Sequence, residues 1–85
     1  MNNIIKKYIS MITVKDISEY GIKNDIYLDD GEAKVLYDVI KNNYDLILSD
    51  DKKVFNYLEN KIKAENLDKI KKIFYEFKKK YQIYL

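Results

Sequence analysis

Carboxylates, amines and phenols are the reactive side chains in this 85-residue chain, which carries 14 Asp and Glu, 16 Lys and 9 Tyr but no His, Cys or Arg. Without thiolate or imidazole, the usual zinc sites, haem and iron–sulfur attachment, disulfides, and thiol or histidine catalysis all lose a required group. The densest acidic group is Asp25, Asp29, Asp30 and Glu32 around Gly31, which invites a test as a calcium loop. With Gly31 in the glycine position of an EF-hand, the ligand positions fall on Ile26, Leu28 and Asp30, and on Tyr37 at the end. Two hydrophobes and a phenol cannot replace carboxylates, so these acids read as helix caps. The pairs Asp16 with Glu19 and Asp50 with Asp51 also sit where caps or a solvated face are expected. General acid–base work needs a pocket that shifts one carboxyl group, and a chain this short leaves little room for a cavity of ~300 Å³ beside its core. Neither GxxxxGK nor GxGxxG occurs, so a phosphate-binding loop is absent as well. The expectation is a non-enzymatic protein with no catalytic residues, no cofactor and no metal.

Lysine is the remaining chemistry. Residues 1–51 carry 6 Lys against 10 acids, giving −4, and residues 52–85 carry 10 Lys against 4 acids, giving +6. One reading packs the basic half against the acidic half and lowers the self-repulsion of each. The other exposes a basic face to a nucleic acid or an acidic partner. Its candidate contacts are Lys69, Lys71, Lys72, Lys78, Lys79 and Lys80, interleaved with Tyr75, Tyr81 and Tyr84. Lysines would neutralise phosphates while tyrosines stack on bases. However, no Arg is present for bidentate guanine contacts, no zinc or glycine-rich motif accompanies the lysines, and a Lys-lined helix is usually a solvated face. Nucleic-acid binding is therefore the alternative reading. Lys, Ile, Tyr and Asn make up 46 of the 85 residues, a bias expected of an AT-rich genome that also discounts the lysine count.

The elements that would carry these groups are helices. A chain of this length closes one core and buries roughly 60–65% of its unfolded surface. Ile4, Ile5, Tyr8, Ile9 and Ile12 make one apolar stripe on a short first helix. Thr13 with Asp16 is a capping-box variant, Val14, Ile17 and Tyr20 face inward, and Gly21 is expected to end the second helix in the left-handed C′ position. Residues 24–28 read as an extended connector, and Asp29 or Asp30 caps a third helix over 30–43 that Asn42 and Asn43 end. Leu46, Ile47 and Leu48 suggest a buried turn or short strand-like segment before Ser49, Asp50 and Asp51 start a fourth helix running to about residue 64.

The last helix, expected from Asn66 onward, has the cleanest pattern. Leu67, Ile70, Phe74, Phe77, Tyr81 and Tyr84 are separated by 3, 4, 3, 4 and 3 residues, a heptad seam. It is either the inner face of a core helix or a seam shared with a second copy, which makes these six residues the candidate self-association site of a homodimer. The fold expected is all-α, a compact bundle of four to five short helices with a longer C-terminal helix, forming a single domain over 1–85. The function expected is a protein-interaction or structural module. The start Met1-Asn2-Asn3-Ile4-Ile5-Lys6-Lys7-Tyr8 lacks an uninterrupted apolar stretch and no apolar run is long enough to span a bilayer, so a cytoplasmic protein without membrane contact is expected.

From Ile12 onward the chain resembles a family of small helical proteins of low-GC Gram-positive bacteria, a domain of unknown function. The resemblance rests on Ile12-Thr13-Val14-Lys15-Asp16-Ile17, Tyr20, Asn24 with Ile26 and Leu28, Glu32-Ala33, and Ile70, Ile73-Phe74 and Phe77, within residues 12–78. It implies an all-helical domain and brings no catalytic residues. Residues 12–43 are also faintly similar to helix–extended–helix DNA-binding modules, although this half is the acidic one.

Overall fold

Capping chemistry sets the starts of three helices. The computed structural model describes the backbone of residues 2–81 and the side chains of residues 7–47, 49–76, 78 and 79. Helix α1 covers Asn2–Met11, α2 Val14–Lys23, α3 Asp30–Ser49, α4 Asp51–Leu58 and α5 Ala64–Tyr81, and no strand occurs among the described residues. At α2 the Thr13 hydroxyl accepts from the Asp16 amide at 3.1 Å while Asp16 accepts from the Thr13 amide at 3.0 Å. Asp29 and Glu32 repeat the arrangement at α3, at 2.7 and 3.1 Å. Both boxes satisfy amides that a helix start leaves without partners.

Gly21 does not end α2. The helix continues to Lys23, no glycine has positive φ, and Asp25 takes the left-handed conformation with φ 62°. Asp tolerates that region better than most side chains. Glycine is needed at 21 because the connector folds back over the helix: the Ile26 amide donates to the Gly21 carbonyl at 2.7 Å, and a Cβ on residue 21 would stand 2.7 Å from the Ile26 carbonyl oxygen. Tyr20, expected inside, is 57% exposed, as is Tyr8 of the first stripe at 75%. Ile9 and Ile12 of that stripe are half-buried, and the side chains of Ile4 and Ile5 lie outside the described residues.

Asn43 interrupts α3 without ending it. Its φ of −135° and ψ of 29° are non-helical, yet the helix resumes through Leu46 and Ile47, which pack on the core. The expected end at 43 coincides with this break, where two helical segments meet, whereas the strand-like segment over 46–48 is replaced by helix, whose continuation half-buries Leu46 and Ile47. Ser49 is the last residue of α3, its hydroxyl donating to the Asp45 carbonyl at 2.8 Å, and Asp50 caps α4. Helix α4 stops at Leu58, short of 64, and a turn carries buried Ile62 to the start of α5. With α3 divided, the 18 residues of α5 form the longest unbroken helix among those described.

One core joins four of the helices. Ile17 from α2, Leu36 and Val39 from α3, Val54, Phe55 and Leu58 from α4, Ile62 from the turn and Leu67 from α5 are all buried together. Helix α3 is the shared support, with α1, α2 and α4 against it. No described helix is long and apolar enough to cross a membrane.

Candidate functional site

Helix α5 carries the sequence-predicted sites, and its first turn is fixed by a buried polar cluster. Glu32 and Asn66 are 4% and 5% exposed. One Glu32 carboxylate oxygen accepts from the Asp29 amide at 3.1 Å, and the other accepts from the Lys63 amide at 2.8 Å. The Asn66 side-chain amide donates to both oxygens at 3.3 and 3.4 Å and to the Tyr27 carbonyl at 3.2 Å. A buried carboxylate requires such a set of donors. Asn66 resembles a helix cap in the sequence; here it lies within the first turn of α5 and joins it to α3 and the connector.

Burial divides the heptad seam. Leu67 belongs to the chain's own core, and Ile70 and Phe74 pack against it. Leu67 is thus an internal contact, whereas Ile70 and Phe74 are half-buried and keep part of their surface outside the core. The heptad period is satisfied equally well by a neighbouring helix of the same chain. Phe77 and Tyr81 lie on the backbone of α5, but their side chains, like Tyr84 as a whole, lie outside the described residues.

The six candidate lysines do not form one stripe. Lys69 donates to the Asp25 carbonyl at 2.9 Å and pairs with the Asp25 carboxylate at 3.9 Å. With Lys63 to Asp29, also 3.9 Å, it links the basic half to the acidic half within the molecule. The Lys71 ammonium lies 5.6 Å from the Phe55 ring centroid and that of Lys78 5.9 Å from the Phe74 ring. Lys72 and Lys79 are exposed, and the Lys80 side chain is outside the described residues. At about 100° per residue, Lys71 and Lys78 share one side of α5, Lys72 and Lys79 lie about 100° further round, and Lys69 points to the opposite flank. Exposed Glu65, Asp68 and Glu76 interrupt the outward arc.

What the structure assembles is an aromatic edge between α4 and α5. Phe55 and Phe74 meet edge to face at 5.3 Å and 82°; Tyr75 completes the group at 6.2 Å from Phe55 and 5.7 Å from Phe74. Phe55 is buried, Phe74 half-buried, and Tyr75 51% exposed. Such pairs add roughly 0.5–1.5 kcal/mol each beyond area burial, and an ammonium over a ring adds roughly 0.5–1 kcal/mol where solvent reaches it. The sequence places Tyr75 among the lysines but does not single out Phe55, whose contact with Phe74 spans two helices. Its apolar spacing with Val54 and Leu58 identifies only a core position.

Two surface clefts are larger than the chain length suggests, at about 490 and 310 Å³. The first lies between the start of α3 and the α4–α5 turn, where Asp29 and Glu32 are already engaged as cap and buried acceptor. The second lies beside the interruption at Asn43, between Asp38, Lys53 and Tyr57. Among the described residues, no group of three or more His, Cys, Asp or Glu side chains is arranged to hold a metal ion. No family model matches the chain, nor does any curated protein or solved structure.

Proposed function

We propose that this protein is a non-enzymatic helical interaction module of the cytoplasm that binds another protein through the α4–α5 edge. The observation that carries the reading is Tyr75, 51% exposed yet seated on Phe55 and Phe74 and framed by Lys71 and Lys78. Protein interfaces concentrate binding energy in a few such supported aromatic side chains, with charges at the margin. Crosslinking in native extract, followed by mass spectrometry, tests it. One protein should be joined to the wild-type chain near Tyr75 and lost from Tyr75→Ala; recovery of no specific protein, or undiminished recovery by the variant, would refute it.

Nucleic-acid binding is the second reading, favoured by exposed Lys72 and Lys79 beside Tyr75. Contacts to several phosphates would make binding fall steeply with salt. Absence of any shift of labelled single- or double-stranded nucleic acid at low salt removes it. A homodimer is the weaker form of the first reading, since Leu67 is buried in the chain's own core and Ile70 and Phe74 already pack partly against it. Sedimentation equilibrium showing a monomer up to about 100 μM removes it.

A further inference from the structure

We infer that the α4–α5 edge receives an acidic amphipathic helix from another protein, with two carboxylates on Lys71 and Lys78 and an apolar pair on Tyr75 and Phe74; this rests on the interaction-module reading. Two acids of the first half reach other lysines: Asp29 pairs with Lys63 and Asp25 with Lys69. Among the described residues, Lys71 and Lys78 form no salt bridge; their contacts are with the rings of Phe55 and Phe74. A cation over a ring face keeps its N–H donors available. The two ammonium groups are thus held in place, half-buried, with no ion pair among the described residues.

Spacing then selects the form of the partner. Lys71 and Lys78 are seven residues apart, about 10.5 Å along the axis at ~1.5 Å per residue, and they fall on nearly one side of α5. Phe74 and Tyr75 lie between them at the third and fourth positions. A helix alongside α5 with the pattern Glu-x-x-Leu-Leu-x-x-Glu has the same i, i+3, i+4, i+7 geometry, in either direction. It places a carboxylate on each lysine and its leucines on the aromatic pair. A second copy laid symmetrically on this edge would set lysine against lysine, so the partner is not this surface repeated. Single-stranded nucleic acid fits less well: Lys71 and Lys78 already lie over the Phe55 and Phe74 rings, which leaves Tyr75 as the exposed stacking ring of the group.

The probe is a fluorescein-labelled helical peptide with the Glu-x-x-Leu-Leu-x-x-Glu pattern, titrated with the full chain at low salt and read by anisotropy. The wild type should bind it, Lys71→Glu/Lys78→Glu should weaken binding about tenfold or more, and Tyr75→Ala should weaken it to a similar degree. Lys34→Glu, on exposed α3 surface, should change nothing. A peptide with Lys in place of both Glu should prefer the charge-reversed variant. Circular dichroism confirms that each variant is folded, and Lys71→Gln/Lys78→Gln replaces the reversal if it unfolds the chain. The inference is overturned if the wild type does not bind the peptide, if a folded charge-neutralised or reversed variant binds it unchanged, or if a thymidine oligonucleotide binds the wild type more tightly. In those cases the interaction-module reading survives as long as crosslinking still recovers a protein at Tyr75; without one, both readings fall.

Discussion

Replacing Asn66 by aspartate exchanges one nitrogen for one oxygen and inverts the logic of the buried cluster. The wild-type amide donates to both Glu32 oxygens at 3.3 and 3.4 Å and to the Tyr27 carbonyl at 3.2 Å. An ionised carboxylate at position 66 would present acceptors to three acceptors, at a site 5% exposed. Two unit charges about 4 Å apart interact by ~4 kcal/mol at an effective dielectric constant near 20. A lost hydrogen bond to a charged acceptor adds about 1.5–3 kcal/mol. Proton uptake limits the total, because holding one carboxyl neutral at pH 7 against an ordinary value near 4 costs about 4 kcal/mol. The expected loss at neutral pH is therefore about 4 kcal/mol, a large part of the roughly 4–13 kcal/mol that a chain of this length has in all.

The sign of the pH dependence follows. The folded variant keeps a proton that the unfolded chain releases, so the folded state binds more protons and stability rises as pH falls through the carboxylate range. Urea unfolding followed by far-ultraviolet circular dichroism, for wild type and Asn66→Asp at neutral and mildly acidic pH, reads both the loss and its recovery. A loss of no more than about 0.5 kcal/mol at neutral pH, the size of an ordinary surface change, would show that the two carboxyl groups do not oppose each other in the fold. So would an equal loss at both pH values.

Gly21→Ala is expected to destabilise by about 1–3 kcal/mol, despite the better helix propensity of alanine, because its Cβ would meet the Ile26 carbonyl at 2.7 Å; a rise in melting temperature would contradict this. Asp25→Gly should change stability by no more than about 1 kcal/mol in either direction, since relief of φ 62° offsets the loss of an exposed ion pair, and thermal unfolding reads the net effect. Thr13→Ala removes one arm of a capping box and should cost about 1 kcal/mol in chemical denaturation. Leu58→Ala, at a side chain 2% exposed, should cost about 2–5 kcal/mol by the same measurement.

Features confined to one turn of chain are legible in the sequence; features that join distant segments are not. Thr13 with Asp16 is three residues of local chemistry, and it forms as expected. Asp29, one of two residues expected to cap α3, does so, with Glu32 three residues on. Glu32 with Asn66 spans 34 residues, and an Asn near a helix start reads locally as a cap whatever it bonds to. Gly21 reads locally as a matter of backbone handedness, because the other use of glycine, close approach of a second stretch of backbone, depends on how the connector returns. The paired Asn42 and Asn43 signal a real interruption, but burial of Leu46 and Ile47 outweighs local propensity and carries the helix on. At the α4–α5 edge, Tyr75 and its lysines are visible as residue types, whereas their support by Phe55 needs the packing of two helices.

Two lysines reach the ends of helices to which they do not belong. Lys41 of α3 donates to the Ser10 carbonyl at 2.7 Å near the end of α1, and Lys69 of α5 donates to the Asp25 carbonyl at 2.9 Å just past the end of α2. Each places a positive charge where a helix terminus is negative. Asn24 already closes the end of α2 locally through the Tyr20 carbonyl, so these lysines tie helix ends to other helices and do not fix where the ends fall. Neutralising either lysine, as acetylation does, would act at a distance in sequence: it would loosen the hold on the end of a neighbouring helix while leaving the helix that bears the lysine intact.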